Sequence, residues 1–257
     1  MTGRALNPST TITAVTANTG DSFTINNFDN ASPAYIDQIW GDNATGGQIR
    51  VRSPRMHDMV QGIRVQAAAA KTGYPLLDSY ADQLLYASDI LTVETSGGAS
   101  ETDNVALLNY YTNLPGASQR LASWAELSNR IVNLMGSEVD TTSGTTAGDW
   151  GAGTAINATF DNFKANTDYA LLGYTTNAAC TAVAIAGADT SNFRVGGPGV
   201  LDPVVTRDWF IGQNVRTGRP YIPVINSNNR GGTLAYVAAT TASTAVKVSL
   251  LFAQLSS

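Results

Sequence analysis

The sequence predicts a mainly β protein made of two tandem antiparallel β-sandwiches, each with a short helix insertion. Short alternations of apolar and polar residues, separated by Gly, Asn and Pro, recur along the 257 residues, and this pattern is typical of strands joined by turns. A hairpin-like segment over 91–95 and 105–111 also recurs, at 234–238 and 248–253. Because the separation of Leu91 from Leu234 equals that of Leu107 from Leu250, the sequence indicates a duplication.

Further matches occur in the same order along both halves of the chain. The alternative is chance, because a chain rich in Thr, Ala, Gly and Asn aligns with itself easily. Collinear matches separated by loops of different length favour the duplication, with residues 1–116 as the first sandwich and 117–257 as a linker helix followed by the second. The matched pairs are Phe28 with Phe163, Tyr35 with Tyr169, Val51 with Ile185, Val65 with Val195 and Gly73 with Gly218.

In the first half, alternating segments predict strands, and turn residues predict their ends. The alanine run within 65–72 predicts a helix that Gly73 and Pro75 stop. The predicted strands are a short edge strand at 11–15, then 22–26, 34–40 ending in a turn at 41–43, 48–53 ending at Pro54, 91–95 and 105–111.

The second half follows a linker at 114–118. Ser123 and Glu126 have the spacing of a capping box for a short helix. A second helix, capped by Thr206, runs through Trp209, Phe210 and Val215 to a stop at Gly218 and Pro220, which repeats the Gly-X-Pro punctuation of the first half. Strands are predicted at 130–139, 169–176, 181–186, 193–195, 221–226, 233–238 and 246–253, with a long loop at 141–153 and a turn at 196–199.

Alternation in the strand at 48–53 places Arg50 and Arg52 on one face and Ile49 and Val51 on the other. Two interpretations follow for the arginine face: a basic recognition strand, or a face that is solvated or turned toward a neighbouring subunit. The pattern alone favours the second.

Charged residues make up 14% of the chain, whereas soluble domains average about 25%. Only 3 lysines and 4 glutamates occur, against 12 arginines. Protein interfaces are depleted in Lys and Glu and enriched in Arg, so this bias favours a subunit that contacts neighbours. A Thr- and Asn-covered extracellular or halotolerant β protein is the alternative.

The net charge of −5, without a Lys/Arg-rich arm, argues against direct binding of nucleic acid. The sequence has no continuous apolar run long enough to cross a membrane as a helix, and its N-terminus lacks a signal-peptide pattern, so synthesis in the cytosol is expected.

The residue inventory predicts no catalytic, cofactor-binding or metal-binding residue, and hence no enzyme. His57 is the single histidine, no Gly-x-Ser-x-Gly elbow accompanies it, and one His with one Cys cannot complete a zinc shell. Cys180 lies in an apolar alternation and is expected to be a buried, inert thiol. The acidic loop from Asp140 to Asp149 is a weak calcium candidate because it lacks EF-hand spacing.

The duplicated β pattern, with a helix before each Gly-X-Pro stop and a closing Leu-Leu strand in each half, resembles the double jelly-roll major capsid proteins of tailless icosahedral, usually membrane-containing, bacterial viruses. The resemblance spans about 11–255. It implies a homotrimer whose six jelly rolls form a pseudo-hexagonal tile of a virion shell. Neighbouring capsomers, other virion proteins or an inner membrane would be its partners.

A second hypothesis is a phage or cell-surface fibre or adhesion protein. It would bind carbohydrate through exposed aromatic side chains such as Trp40, Trp150 and Trp209.

Overall fold

The computed structural model describes residues 2–6, 21–24, 34–43, 47–55, 62–69, 83–85, 88–95, 104–111, 119–146, 148–178, 180–199, 208–239 and 241–256. The protein is mainly β, with antiparallel sheets, and it divides into two compact units, Met1–Gly116 and Ala117–Ser257. Among the described residues, no helix is long and apolar enough to cross a membrane.

The first unit contains eight described strands. They are β1 (Thr2–Leu6), β2 (Asp21–Thr24), β3 (Ala34–Asn43), β4 (Gly47–Arg52), β5 (Ile63–Ala69), β6 (Gln83–Leu85), β7 (Ile90–Thr95) and β8 (Asn104–Tyr111). β8 pairs with β1 and β3, and β3 also pairs with β6. β7 pairs with β2 and β4, and β4 also pairs with β5. A short parallel contact of β3 with β5 joins the two groups into one eight-stranded sheet.

The second unit contains nine described strands. They are β9 (Leu121–Ala122), β10 (Ile131–Thr142), β11 (Thr154–Ala155), β12 (Asp168–Thr176), β13 (Ala182–Ala186), β14 (Val195–Pro198), β15 (Ile222–Asn226), β16 (Leu234–Ala238) and β17 (Ala245–Leu255). They form a five-stranded sheet in the order β10-β17-β12-β15-β9 and a four-stranded sheet in the order β11-β16-β13-β14.

The second unit also contains the described helices. α1 (Trp124–Leu127) has the predicted capping box, in which the Ser123 hydroxyl and the Glu126 carboxylate each accept from the other's backbone N–H. α2 (Trp209–Thr217) follows Asp208 and ends at Gly218, whose φ of +70° is the predicted left-handed helix stop. The expected cap Thr206 lies outside the described residues. Three 3₁₀ turns occupy Ser128–Arg130, Ala188–Thr190 and Ser227–Gly232.

Strand pairing follows the same scheme in both units. Taking strands in chain order, β1 to β8 correspond to β10 to β17. The six antiparallel pairings of the first unit then recur in the second unit: β10 with β17, β17 with β12, β12 with β15, β11 with β16, β16 with β13, and β13 with β14.

A bulge recurs as well. β3 skips one residue between Ile36 and Gln38 against β8, and β12 skips one between Leu171 and Gly173 against β17. Gln38 pairs with Leu108, and its counterpart Gly173 pairs with Leu251. Leu108 and Leu251 directly follow Leu107 and Leu250, so the bulges occur at the repeat spacing read from the sequence.

The register corrects three of the sequence matches by one or two residues. With Leu107 matched to Leu250, Tyr35 corresponds to Ala170 instead of Tyr169. Val51 pairs with Val93, whereas Ile185 pairs with Ala235, so the match of Val51 with Ile185 is incompatible with that of Leu91 with Leu234. Val51 pairs with Ile63, and Ile185 pairs with Val195. If Val51 is matched to Ile185, Val195 therefore corresponds to Ile63 instead of Val65.

Four local predictions are wrong. Residues 65–69 belong to strand β5, so the first helix insertion is not formed there. Residues 41–43 continue β3 instead of turning, and Gly196 to Pro198 belong to the edge strand β14. The segments read as hairpins do not pair internally, because β7 and β8, like β16 and β17, pair with different neighbours. Residues 11–15, Phe28 and Gly73 lie outside the described part of the chain.

The core of the second unit lies between its two sheets and is rich in aromatic side chains. Phe163 packs edge-to-face on Tyr169 and Phe252, with ring centroids 4.9 and 5.4 Å away. Helix α2 adds Trp209 and Phe210, both buried. The indole N–H of Trp209 donates to the Gly196 carbonyl, and a Cβ at Gly197 would collide with the indole ring. Leu250, which the repeat matches with Leu107, is also buried.

Candidate functional site

The residues considered for chemistry do not come together in the described structure. His57 lies outside the described residues. Within them, no group of three or more His, Cys, Asp or Glu side chains is placed to hold a metal ion. Asp140 and Asp149 are both exposed, and Asp140 lies 3.6 Å from Lys247. Cys180 is the predicted buried thiol, and burial raises its pKa to about 12.

Arg50 and Arg52 lie on one face of β4, as predicted, and both bind Glu94 on β7. Cross-strand register places Arg50 opposite Glu94. Arg50 Nε donates to Glu94 Oε2 at 2.6 Å, and Arg52 donates to both carboxylate oxygens at 3.1 and 3.2 Å. Arg50 is 1% exposed and Glu94 is fully buried. A solvated arginine face is therefore wrong for Arg50, and these two guanidinium groups bind a carboxylate of their own chain.

The charge state of Glu94 follows from these contacts. Burial alone would raise the pKa of Glu94, but the hydrogen bonds from Arg50 and Arg52 outweigh it and the net pKa is lowered. Glu94 is therefore ionised at neutral pH. The cluster compensates a buried carboxylate with two cations, which is the condition under which a buried charge is tolerated.

The corresponding sheet of the second unit holds an arginine differently. The Arg194 guanidinium carbon lies 4.7 Å from the ring centre of Tyr236 on β16 and 5.5 Å from that of Trp150. These distances are in the range of cation–π contacts. Arg194 Nε has no hydrogen-bond partner among the described residues, whereas both rings lie within contact distance of the guanidinium.

Arg120 attaches the segment after the unit boundary to the second unit. Its guanidinium makes a bidentate pair with Asp168 at 2.6 and 3.1 Å and approaches Asp189 at 3.5 Å. The hydrogen bond with Asp168 raises the pKa of Arg120 and lowers that of Asp168. Backbone hydrogen bonds to Asp189 and Val224 add to it, so the chain entering β9 is fixed to the second unit at one residue.

The aromatic residues proposed for carbohydrate binding are not an exposed set. Trp209 is 2% exposed and belongs to the core, so its predicted exposure is wrong. Trp150 is half-buried beneath Arg194. The side chain of Trp40 lies outside the description.

Large apolar side chains are exposed on two sides of the second unit. Edge strand β10 exposes Val132 at 59% and Leu134 at 52%, followed on the same strand by the exposed acids Glu138 and Asp140. We call these four residues the β10 surface. Helix α2 exposes Val215 at 72% together with Arg216, and we call this pair the α2 surface.

The remaining exposed large hydrophobic residues in the described part of the chain are Phe160 and Ile90.

Two open grooves flank β10. One, of about 470 Å³, is lined by Arg130, Val132, Asp168 and the end of β17; the other, of about 440 Å³, lies at the loop from Asp140 to Thr154. Both are shallow and neither contains a cluster of ionisable groups suited to catalysis among its lining residues. The second coincides with the long loop predicted at 141–153.

Sequence patterns did not predict two features of the structure: the Glu94–Arg50 pair and the exposed end of β10. The pairing of Glu94 with Arg50 depends on the register between β4 and β7. A single glutamate at a polar position of β7 is the signal in the sequence that could have indicated this ion pair. The exposed end of β10 was not predicted, because large apolar residues such as Ile131, Val132, Leu134 and Met135 are typical of buried positions. Their lack of alternation is the signal that distinguishes this end of the strand from the alternating end after Ser137.

Comparison with known proteins provides no assignment. No family model matches the chain, and no curated protein matches it. Among solved structures, the crystal structure of PBSX exported protein XepA aligns with 97% of this chain and 86% of its own, at 10% identity and a TM-score of 0.23. A likeness at that TM-score carries no argument about fold or function.

Proposed function

We propose that this chain is a structural subunit, a viral major capsid protein with two tandem jelly rolls that assembles through homotrimeric capsomers into an icosahedral shell. One observation carries the proposal: the strand-pairing scheme occurs twice, with a bulge at the matching position of each copy. Because both the pairing scheme and the bulge recur, they support duplication of one domain. A coat subunit with two similar sandwiches requires such a duplication.

The order of the strands supports the jelly-roll interpretation. In each unit one group of four is ordered first-eighth-third-sixth, as in β1-β8-β3-β6 and β10-β17-β12-β15. The other is ordered second-seventh-fourth-fifth, as in β2-β7-β4-β5 and β11-β16-β13-β14. Most consecutive strands thus alternate between two groups of four, the arrangement of the eight-stranded double-sheet jelly roll found in viral capsids.

The composition and the exposed apolar residues favour a subunit of an assembly over a monomer. Lysine and glutamate are scarce relative to arginine, and the second unit exposes apolar residues on two of its sides. In the proposed role the protein is made in the host cytoplasm and functions in the virion. It contacts its own copies, neighbouring capsomers and, on the inner side, other virion proteins or a membrane, without binding nucleic acid directly.

Light scattering on the purified protein at micromolar concentration, followed by negative-stain microscopy at high concentration, tests the proposal. The expected mass is three times the 26.9 kDa of one chain, and the expected images show shells or flat hexagonal arrays. A stable monomer in native salt contradicts the proposal. Elongated rods would favour the fibre hypothesis instead.

A further inference from the structure

A closed ring of identical subunits requires two different surfaces on each chain, because a head-to-tail contact joins one patch to another patch of the next copy. The β10 surface and the α2 surface have the placement that such a contact needs. β10 is one edge of the five-stranded sheet, and β17 and β12 separate it from β15. Helix α2 packs beside β12 and β15 and against α1, toward the opposite edge of that sheet.

The β10 surface combines an open strand edge with apolar and acidic side chains. β10 pairs with β17 alone in the described structure, so its other edge has unpaired backbone groups, a feature that favours binding of another chain. The position of a Cβ on Gly136 has no neighbour within 4 Å, so this part of the strand is accessible. Lys247 on β17 lies 3.6 Å from both Glu138 and Asp140, so these three side chains together carry one net negative charge.

The α2 surface has the complementary character. Trp209 and Phe210 fix the helix in the core, and its last turn presents Val215 and Arg216 to solvent. Arg216 donates one hydrogen bond to Gln213 on the same helix. A guanidinium group carries five N–H donors, so Arg216 retains donors for a carboxylate of another chain.

We propose that the β10 surface of one copy binds the α2 surface of the next copy, and that this contact closes the trimer. Val215 packs on Val132 and Leu134, and Arg216 pairs with Glu138. The helix thereby covers the open strand edge. This inference rests on the proposed function, since it names the contact that would hold the proposed capsomer together.

Charge reversal tests the pairing of Glu138 with Arg216. The variants Glu138→Arg and Arg216→Glu should each raise the trimer dissociation constant by about tenfold or more, because each places like charges together at the contact. The double variant should restore the wild-type constant to within a few fold. Lys164→Glu, a reversal of an exposed charge on neither surface, is the matched control and should leave the constant unchanged.

Apolar substitution tests the other half of the contact. Leu134→Ser and Val215→Ser should weaken the trimer, whereas Phe160→Ser, at similar exposure, should not. Mass photometry over a dilution series gives the dissociation constants, and thermal unfolding checks that each variant is folded.

A wild-type trimer that the single reversals leave intact, or that the double variant fails to restore, overturns the β10–α2 contact while the coat proposal stands. A wild-type monomer overturns both.

Discussion

Matching sheets of the two units contact an arginine side chain in different ways: Arg50 belongs to strand β4, whereas Arg194 precedes β14 and lies over Tyr236 of β16. With Val51 matched to Ile185, Arg50 corresponds to Ala184 and Glu94 to Tyr236. The first unit surrounds a buried carboxylate with Arg50 and Arg52, and the second places Arg194 over the rings of Tyr236 and Trp150. The first arrangement depends on a carboxylate, and the second does not.

The difference shows which features recur between the two units and which do not. Strand order and the bulge recur, because they determine which backbone groups pair and which residues face the core. The chemistry of a single cross-strand pair does not recur, since an ion pair and an alanine–tyrosine pair both fit the same register. The units should therefore share a fold and differ in how they respond to mutation and to acid.

The largest effect is expected for Glu94→Gln. The substitution removes the buried carboxylate that pairs with Arg50 and Arg52, and breaking a buried ion pair typically costs about 3–5 kcal/mol. Denaturant unfolding measures the change, and Asp149→Asn, at an exposed carboxylate on neither named surface, is the control. The double variant Arg50→Ala with Glu94→Tyr introduces the residues found in the second unit and should be more stable than Glu94→Gln. Equal stability of Glu94→Gln and the wild type would show that the buried ion cluster contributes nothing.

Acid should act on the same residue and so distinguish the units. Because the folded-state pKa of Glu94 is lowered, its contribution to stability is present above its ordinary pKa of 4.5 and is lost as the pH falls through the folded pKa. Hydrogen exchange read by mass spectrometry should therefore show amides of β4 and β7 losing protection below pH 4.5 more than those of β13 and β16. The Glu94→Gln variant should lack this pH-dependent difference.

A smaller effect is expected for Arg194→Met in the second unit. The substitution keeps much of the aliphatic stem and removes the cation–π contacts, which are worth about 0.5–2 kcal/mol. Lys164→Met, at an exposed cation, controls for loss of charge. A loss of stability as large as that of Glu94→Gln would contradict the comparison between the two arginines.

Gly218→Ala should destabilise the second unit by about 1–2 kcal/mol, the cost of a Cβ in the left-handed region. No atom lies within 4 Å of the added Cβ, so backbone conformation is the whole cause. Gly212→Ala in the same helix also meets open space and should instead stabilise by about 0.5–1 kcal/mol. Thermal unfolding of the two variants should therefore shift in opposite directions.

The smallest effect is expected for Cys180→Ser and His57→Ala, which should leave assembly intact. The Cys180 thiol is buried and neutral at physiological pH. Analytical centrifugation of both variants should give the wild-type mass. A loss of assembly by His57→Ala in a folded protein would identify a pH-sensitive contact at that residue.

Local patterns predicted the second unit well wherever a rule needs only neighbouring residues. The capping box at Ser123, the stop at Gly218 and the strands corresponding to β10, β12, β15, β16 and β17 are examples. In the first unit, the strands predicted at 22–26, 34–40, 48–53, 91–95 and 105–111 correspond to β2, β3, β4, β7 and β8, and the departures from local patterns are confined to short segments of both units. Ala68 and Ala69 have helical propensity, but they pair with Asp42 and Asn43 in a sheet. Gly196 and Gly197 read as a turn, but they form an edge strand. A Cβ on Gly197 would meet the indole ring of Trp209, and one on Gly196 would meet residues of β13.

The sequence by itself determined the β class and the near-constant spacing between matching strands of the two halves, because alternation and repetition depend on chain order alone. Tertiary structure decided which strands pair, that Glu94 lies between two arginines, and that Val132 and Leu134 face outward. Register and burial depend on residues far apart in the chain, and a shift of one residue turns a side chain to the opposite face of its sheet. For that reason Leu91 and Leu234, identical residues at the repeat spacing, do not occupy corresponding positions once Val51 is matched to Ile185.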